Sequence, residues 1–161
     1  MSAGLSTETQ VISATFNEQL LIGAAMIALC VIIHGIGLFT IQGVLTRETI
    51  KQRVSSMRRL SFFGTLFILL SVFAIIFIHF IEIWLFAFLY SYLGALHTFS
   101  EALYFSTISY STAGYSDALI HEQWRMIAAL EGILGVILLG WSTAFFVRVL
   151  GRLEGDDAEP R

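Results

Sequence analysis

The chain has 161 residues, of which 57% are hydrophobic and 13% are charged, a composition that excludes a water-soluble globular protein. One domain is expected at this length, and so much apolar surface cannot be buried in a core of that size, so lipid is the expected solvent. The single cysteine, Cys30, can form no intrachain disulfide. The net charge of −3 is less informative than the positions of the charges.

Three hydrophobic segments each exceed the ~20 residues that a helix needs to cross a bilayer. They cover residues 20–45, 60–93 and 126–150. Residues 1–19, which contain no Lys or Arg, precede the first segment, so it is not a signal peptide. The first segment has no arginine ladder and is therefore no voltage sensor. Its glycines allow close helix approach, which favours packing beside the rest of the protein.

The basic residues indicate the orientation of the chain in the membrane. Five of the nine lie in the loop 46–59, and three more lie near or after the end of the third segment. The positive-inside rule therefore predicts that this loop and the tail 151–161 are cytoplasmic. Three crossings then place residues 1–19 and the connection 94–124 outside.

The connection between the second and third segments begins with a helix-start signal. Thr98 is followed three residues later by Glu101, the pattern of a capping box, although Ser100 is a competing cap. We expect one helix over residues 99–110. It is too short to span the membrane, which favours a re-entrant segment buried in protein or lining water.

After this helix the chain reads Thr112-Ala-Gly-Tyr-Ser-Asp117. Trp124-Arg125 comes directly before the third segment, which contains Gly140-Trp-Ser-Thr-Ala144. These stretches resemble the pore domain of the potassium-channel family, its small bacterial members in particular. The six residues are similar to the family's selectivity filter, Thr-Val-Gly-Tyr-Gly-Asp. The resemblance covers about residues 60–150, with an outer helix, a pore helix, a filter and an inner helix.

The resemblance implies specific roles for these residues. Thr112, Ala113, Gly114, Tyr115 and Ser116 would present carbonyls to permeating monovalent cations, and Thr112 would add its hydroxyl. Support for the filter would come from three further residues, Asp117, Tyr104 and Phe105. Gly135 matches the glycine treated as a gating hinge of the inner helix. Because one chain encloses no such pore, the resemblance implies a homotetramer.

Three departures from the family pattern bear on ion selectivity. Ala113 replaces a larger Val or Ile and loses the packing that stiffens the filter. Ser116 replaces a glycine that the family needs in a positive-φ conformation, which costs another residue about 1 kcal/mol or more. Ile108 stands where the family often has a pore-helix glutamate. Fewer rigid sites favour weaker discrimination between K⁺ and Na⁺.

Ionisable residues within the hydrophobic segments are costly and often functional. His79 and Glu82 lie three residues apart, on one helix face, where they could clamp neighbouring helices or sense pH. Glu131 could face the ion cavity, or pair with Arg125 or the pore helix. The structural role is favoured for all three, although pH sensing stays open.

The sequence therefore predicts an all-α membrane protein with three transmembrane helices, a re-entrant pore helix and a filter loop. The expected function is passive cation conduction in a bacterial inner membrane, with membrane lipid and monovalent cations as partners. No catalytic residue, cofactor or nucleic-acid module is expected. The alternatives are a weakly selective or nonconducting relative that senses pH or lipid, and a membrane scaffold or metal-dependent membrane enzyme. The metal enzyme is disfavoured because no His-Glu-x-x-His pattern occurs.

Overall fold

The computed structural model describes residues 2–45, 62–114, 116 and 119–155, and no strand occurs within these ranges. The described elements are α1 (Ser2–Leu45), α2 (Phe62–Tyr92), α3 (Phe99–Tyr110), a 3₁₀ turn (Glu122–Trp124) and α4 (Arg125–Gly155). Three of the helices are long and apolar enough to cross a membrane, over Phe16–Val44, Ile68–Tyr92 and Glu122–Gly151. The predicted all-α class with three spanning helices is confirmed, and the protein is a multi-pass membrane protein.

The helix bounds differ from the predicted segments mainly at the two ends of the chain. α1 begins at Ser2, so the predicted segment 1–19 continues the helix that contains the first span. α4 extends to Gly155, into the predicted tail 151–161. The basic loop 46–59 lies outside the described residues.

The first compact unit comprises the residues up to Val31 together with Glu82–Ile137. Within it, the side-chain carbonyl of Gln19 accepts a hydrogen bond from the backbone N–H of Met126, at 3.3 Å. Four residues later on each helix, Gly23 faces Leu130 so closely that a Cβ would lie 2.5 Å from its Cδ1. The constant offset along both helices means that α1 runs parallel to α4 here. A glycine of the first segment thus permits the close helix approach predicted for it.

The second compact unit comprises Ile32–Ile81 and the residues from Leu138 onward. Its apolar core joins all three long helices and consists of Leu38, Ile75, Phe145 and Val149, with Ile41 and Phe146 packed against it. Gly37 of α1 lies against Ile78 of α2, where a Cβ would come within 2.9 Å of Cγ1. α1 is therefore packed against the helices of its own chain in this unit.

Candidate ion-conduction site

The start of α3 is fixed by the capping box that the sequence predicts. The Thr98 hydroxyl accepts a hydrogen bond from the Glu101 N–H at 3.2 Å, and the Glu101 carboxylate accepts one from the Thr98 N–H at 3.3 Å. Thr98, and not Ser100, is the cap, and α3 has the predicted bounds. Two backbone donors that a helix start leaves unpaired are thereby satisfied.

The end of α3 is closed by a Schellman motif. The Thr112 N–H donates to the Ser109 carbonyl, and the Ala113 N–H donates to the Ile108 carbonyl, both at 3.0 Å. The motif requires one residue in the left-handed conformation, and this residue is Thr112, with a φ of 55°. The first residue of the predicted filter therefore adopts a backbone conformation that is unfavourable for a β-branched side chain.

The end of α2 shows the same motif with the residue type that usually occupies it. Gly94 has a φ of 63°, its N–H donates to the Ser91 carbonyl at 3.3 Å, and the Ala95 N–H donates to the Tyr90 carbonyl at 2.9 Å. Glycine pays no Cβ penalty there. The two helix ends thus differ in strain, and the strained one lies at the predicted filter, as is common for functional sites.

The predicted filter residues are described only in part. Thr112, Ala113 and Gly114 are exposed in the single chain, and Ser116 is half-buried. Tyr115 and Asp117 lie outside the described residues. The roles assigned to all six residues stay predictions.

The two aromatic residues predicted to support the filter have different environments. Phe105 is fully buried, and its ring packs edge-on against Tyr90 with centroids 5.5 Å apart. Tyr104 is 64% exposed in the single chain. Phe105 thus helps to hold α3 on α2, and the predicted support of the filter by Tyr104 stays a prediction.

A buried carboxylate of α2 lies at the C-terminal end of α3. The Tyr110 hydroxyl donates a hydrogen bond of 2.5 Å to Glu82 Oε2, and both side chains are buried. A hydrogen bond to a charged acceptor is typically worth about 1.5–3 kcal/mol. Glu82 therefore connects α2 to the helix that precedes the predicted filter, as expected of a clamp.

A second buried carboxylate, on α4, lies against the middle of α3. Glu131 is fully buried; its Oε1 lies 2.5 Å from the Ser106 hydroxyl, and its Oε2 accepts a hydrogen bond from Tyr90 at 2.7 Å. The Ser106 hydroxyl also lies 2.9 Å from the Ile83 carbonyl oxygen. One cluster thus joins α2, α3 and α4.

The sequence left two pairings open for Glu131, one with Arg125 and one with the pore helix. In the structure Glu131 pairs with the predicted pore helix, α3. Arg125 lies 3.4 Å from Glu122 in an exposed ion pair instead. Ser106 and Tyr110, the partners of the two carboxylates, are four residues apart and share one face of α3. The sequence shows that these two hydroxyl groups lie on one helix face. It does not show which carboxylates the hydroxyl groups contact.

Gly135 of α4 lies directly against the end of α3. A Cβ at this position would overlap the Tyr110 carbonyl oxygen and lie 2.9 Å from the carbonyl carbon. At Gly132, one turn earlier, a Cβ would lie 3.4 Å from the Ser109 carbonyl oxygen. The absence of a side chain at Gly135 therefore allows contact between the two helices, in addition to any hinge role.

His79 lies in a polar cluster of the second compact unit. The Ser142 hydroxyl lies 3.0 Å from His79 Nε2 and 3.2 Å from His34 Nε2, and all three side chains are buried. The two imidazole rings are 5.1 Å apart between centroids. The cluster links α1, α2 and α4, so His79 has the helix contacts of a clamp, and pH sensing stays a prediction.

Comparison with known proteins identifies one family. A family model described as "Ion channel" matches residues 78–152, which include the end of α2, α3, the predicted filter and most of α4. No curated protein and no solved structure matches the chain. This match supports the predicted resemblance to an ion-channel pore domain over these residues.

Proposed function

Because residues 78–152 match the model of an ion-channel family, we propose that four copies of this chain enclose a cation pore. The observation that carries the proposal is the order of elements inside the matched range. A short capped helix, α3, is followed by the filter-like sequence 112–117 and then by a spanning helix, α4. Each element has the length that a pore domain needs, and the short helix cannot cross a bilayer by itself.

The proposed mechanism is coordination of dehydrated cations by backbone carbonyls. Thr112, Ala113, Gly114, Tyr115 and Ser116 of each copy supply the oxygens, and ions on adjacent sites repel each other, which aids exit. The C-terminal end of α3 carries the negative end of its helix dipole, which favours a cation below the filter. The family resemblance assigns Asp117 to the outer mouth of this pore.

The proposed permeant ion is K⁺, with weak discrimination against Na⁺. Thr112, Gly114 and Tyr115 keep the pattern of a K⁺ filter, whereas Ala113 and Ser116 remove packing and a glycine from it. The proposed location is a bacterial inner membrane, with the N-terminus outside and the C-terminus in the cytoplasm. The cluster of basic residues in 46–59 supports this orientation.

Ion flux into liposomes that contain the purified protein tests conduction, with K⁺, Na⁺ and Cs⁺ gradients measured separately. We expect flux of all three, with K⁺ fastest, and loss or change of flux in Thr112→Ala. The matched control is Thr107→Ala: among the described residues, the hydroxyl of this exposed threonine of α3 bonds only the Leu103 carbonyl. Equal flux in wild type and Thr112→Ala, or flux of anions alone, would contradict the proposal.

A further inference from the structure

Glu131 is a buried carboxyl group within a membrane-spanning helix. It is 0% exposed and lies inside the span Glu122–Gly151. Among the described residues no Lys or Arg contacts it, since Arg125 pairs with Glu122. An ionised carboxylate in such a place is strongly unfavourable, and groups of this kind commonly become neutral instead. Its hydrogen-bond partners allow the protonation state to be inferred from geometry.

The number of protons around Ser106 distinguishes an ionised Glu131 from a protonated one. The Ser106 hydroxyl is within hydrogen-bond distance of two oxygens, the Ile83 carbonyl at 2.9 Å and Glu131 Oε1 at 2.5 Å. A hydroxyl has one proton to donate, and a backbone carbonyl can only accept. If Glu131 were ionised, one of these two pairs of oxygens would face each other without a proton.

A protonated Glu131 removes this conflict. The carboxylic acid donates from Oε1 to the Ser106 hydroxyl, and Ser106 donates its own proton to the Ile83 carbonyl. Tyr90 donates to the remaining oxygen, Oε2, at 2.7 Å. Each of the close oxygen pairs then contains a proton, and no uncompensated charge is buried.

The other titratable groups around Glu131 differ in their effect on its charge. They are Glu82 and Tyr90 on α2, Tyr110 on α3, and the fully buried Cys30 on α1. The hydrogen bond from Tyr90 favours the ionised form, as a donor to any carboxylate does. A second carboxyl group nearby makes ionisation of both unfavourable. The Ser109 hydroxyl lies beside Glu131 as well as 3.1 Å from the Ala128 carbonyl, and its single proton can serve only one of these two acceptors.

We propose that Glu131 carries a proton in the folded protein and, as a neutral acid, positions α3 by donating to Ser106. Glu131 is thus a positioning residue: it acts on the predicted filter through the helix that precedes it. Deprotonation would leave either Ser106–Ile83 or Ser106–Glu131 without a hydrogen bond and would bury a charge. The inference goes beyond the proposed conduction and does not require it.

Infrared spectroscopy of the full-length protein in lipid at neutral pH tests the protonation directly, because a protonated carboxyl group absorbs apart from carboxylates. We expect the wild-type spectrum to contain a protonated-carboxyl band that is lost in Glu131→Gln. The matched control is Glu122→Gln, an exposed position at the start of the same span. It should leave the band unchanged. A band that survives in Glu131→Gln, or no such band in the wild type, would overturn the proposal.

Thermal stability in detergent gives a second, independent readout through rescue by a conservative variant. The amide side chain introduced by Glu131→Gln can donate to Ser106 and accept from Tyr90 as a neutral acid does. We therefore expect this variant to keep the wild-type melting temperature and subunit assembly at neutral pH. Glu131→Leu, which fills the space without hydrogen bonds, should melt lower. If Glu131→Gln fails to fold or melts as low as Glu131→Leu, a neutral acid is not what the site requires.

Discussion

At the scale of single residues, Gly135 is a glycine that packs against the backbone of another helix. Among the described glycines of this kind, it has the least room for a larger side chain. Its neighbour is the Tyr110 carbonyl, which belongs to the end of α3 and cannot turn aside as a flexible side chain can. A methyl group there must push α4 and α3 apart. The glycine is thus explained by close helix approach, whether or not α4 also bends at this position.

The change Gly135→Ala is expected to destabilise the protein by about 1–3 kcal/mol, the usual cost of overpacking a close contact. The measurement is thermal unfolding of the purified protein in detergent. Gly140→Ala is the matched control, because Gly140 lies on the same helix and a Cβ there would meet nothing within 4 Å. It should be neutral or slightly stabilising, since alanine is the better helix former. Equal melting temperatures for the two variants would contradict the close-contact explanation.

For Thr112, the sequence predicted the place in the filter-like motif but not the backbone conformation. Its position in the filter-like motif was evident from the sequence, and so was the end of α3 nearby. Its left-handed φ of 55° was not, because Gly, and occasionally Asn or Asp, is the residue that normally indicates this conformation. The closing bonds of the Schellman motif offset part of the cost, which is about 1–2 kcal/mol.

At the scale of elements, α3 is held by contacts at several points along its length. Its start is capped by Thr98, its middle contacts Glu131 through Ser106, and its end contacts Glu82 through Tyr110. A helix of this length is marginal in isolation and depends on such tertiary contacts. The rigidity of the predicted filter therefore depends on hydroxyl–carboxyl bonds as well as on apolar packing.

Removing one of these bonds tests the clamp between α2 and α3. Tyr110→Phe keeps the ring but leaves Glu82 without this donor, so we expect a loss of about 1–3 kcal/mol in the free energy of unfolding. Thermal or denaturant unfolding in detergent measures it. Tyr92→Phe is the control, since Tyr92 is 88% exposed at the end of α2. Similar stabilities for the two variants would mean that the bond between Tyr110 and Glu82 does not hold α3.

The elements were more predictable from the sequence than their contacts. Hydropathy located three spans, and the pair Thr98 and Glu101 located α3, because capping and periodicity are local signals. The contact of Glu131 with Ser106 was not predictable in detail, since these residues are 25 positions apart. Such contacts depend on how helices pack, which a single sequence does not specify.

At the scale of the whole molecule, the account requires several copies of the chain. The exposed residues Thr112, Ala113 and Gly114 can form a closed pathway only when other copies supply the remaining walls. In the proposed assembly, the exposed Tyr104 contacts a neighbouring copy. Tight packing of α1 against α4 in the first unit, at Gly23, means that α1 is part of the protomer rather than a loose addition.

Native mass spectrometry of the detergent-solubilised protein tests the assembly. The expected mass is that of four chains of 17.9 kDa each. Exchange of Tyr104 for a charged residue, Tyr104→Glu, should shift the population toward smaller species, because a charge at a packed interface is unfavourable. Tyr92→Glu, at another exposed tyrosine outside α3, is the control. A monomer under all mild detergent conditions would contradict a pore made of four copies.

Current across a planar lipid bilayer that contains the purified protein tests the central claim of cation conduction most directly, with KCl on one side and NaCl on the other. The account predicts a current whose reversal potential indicates cations, with a modest preference for K⁺ that increases in Ser116→Gly. Thr112→Ala should abolish or alter that current. A reversal potential set by chloride, or a cation current that neither Thr112→Ala nor Ser116→Gly changes, would contradict it.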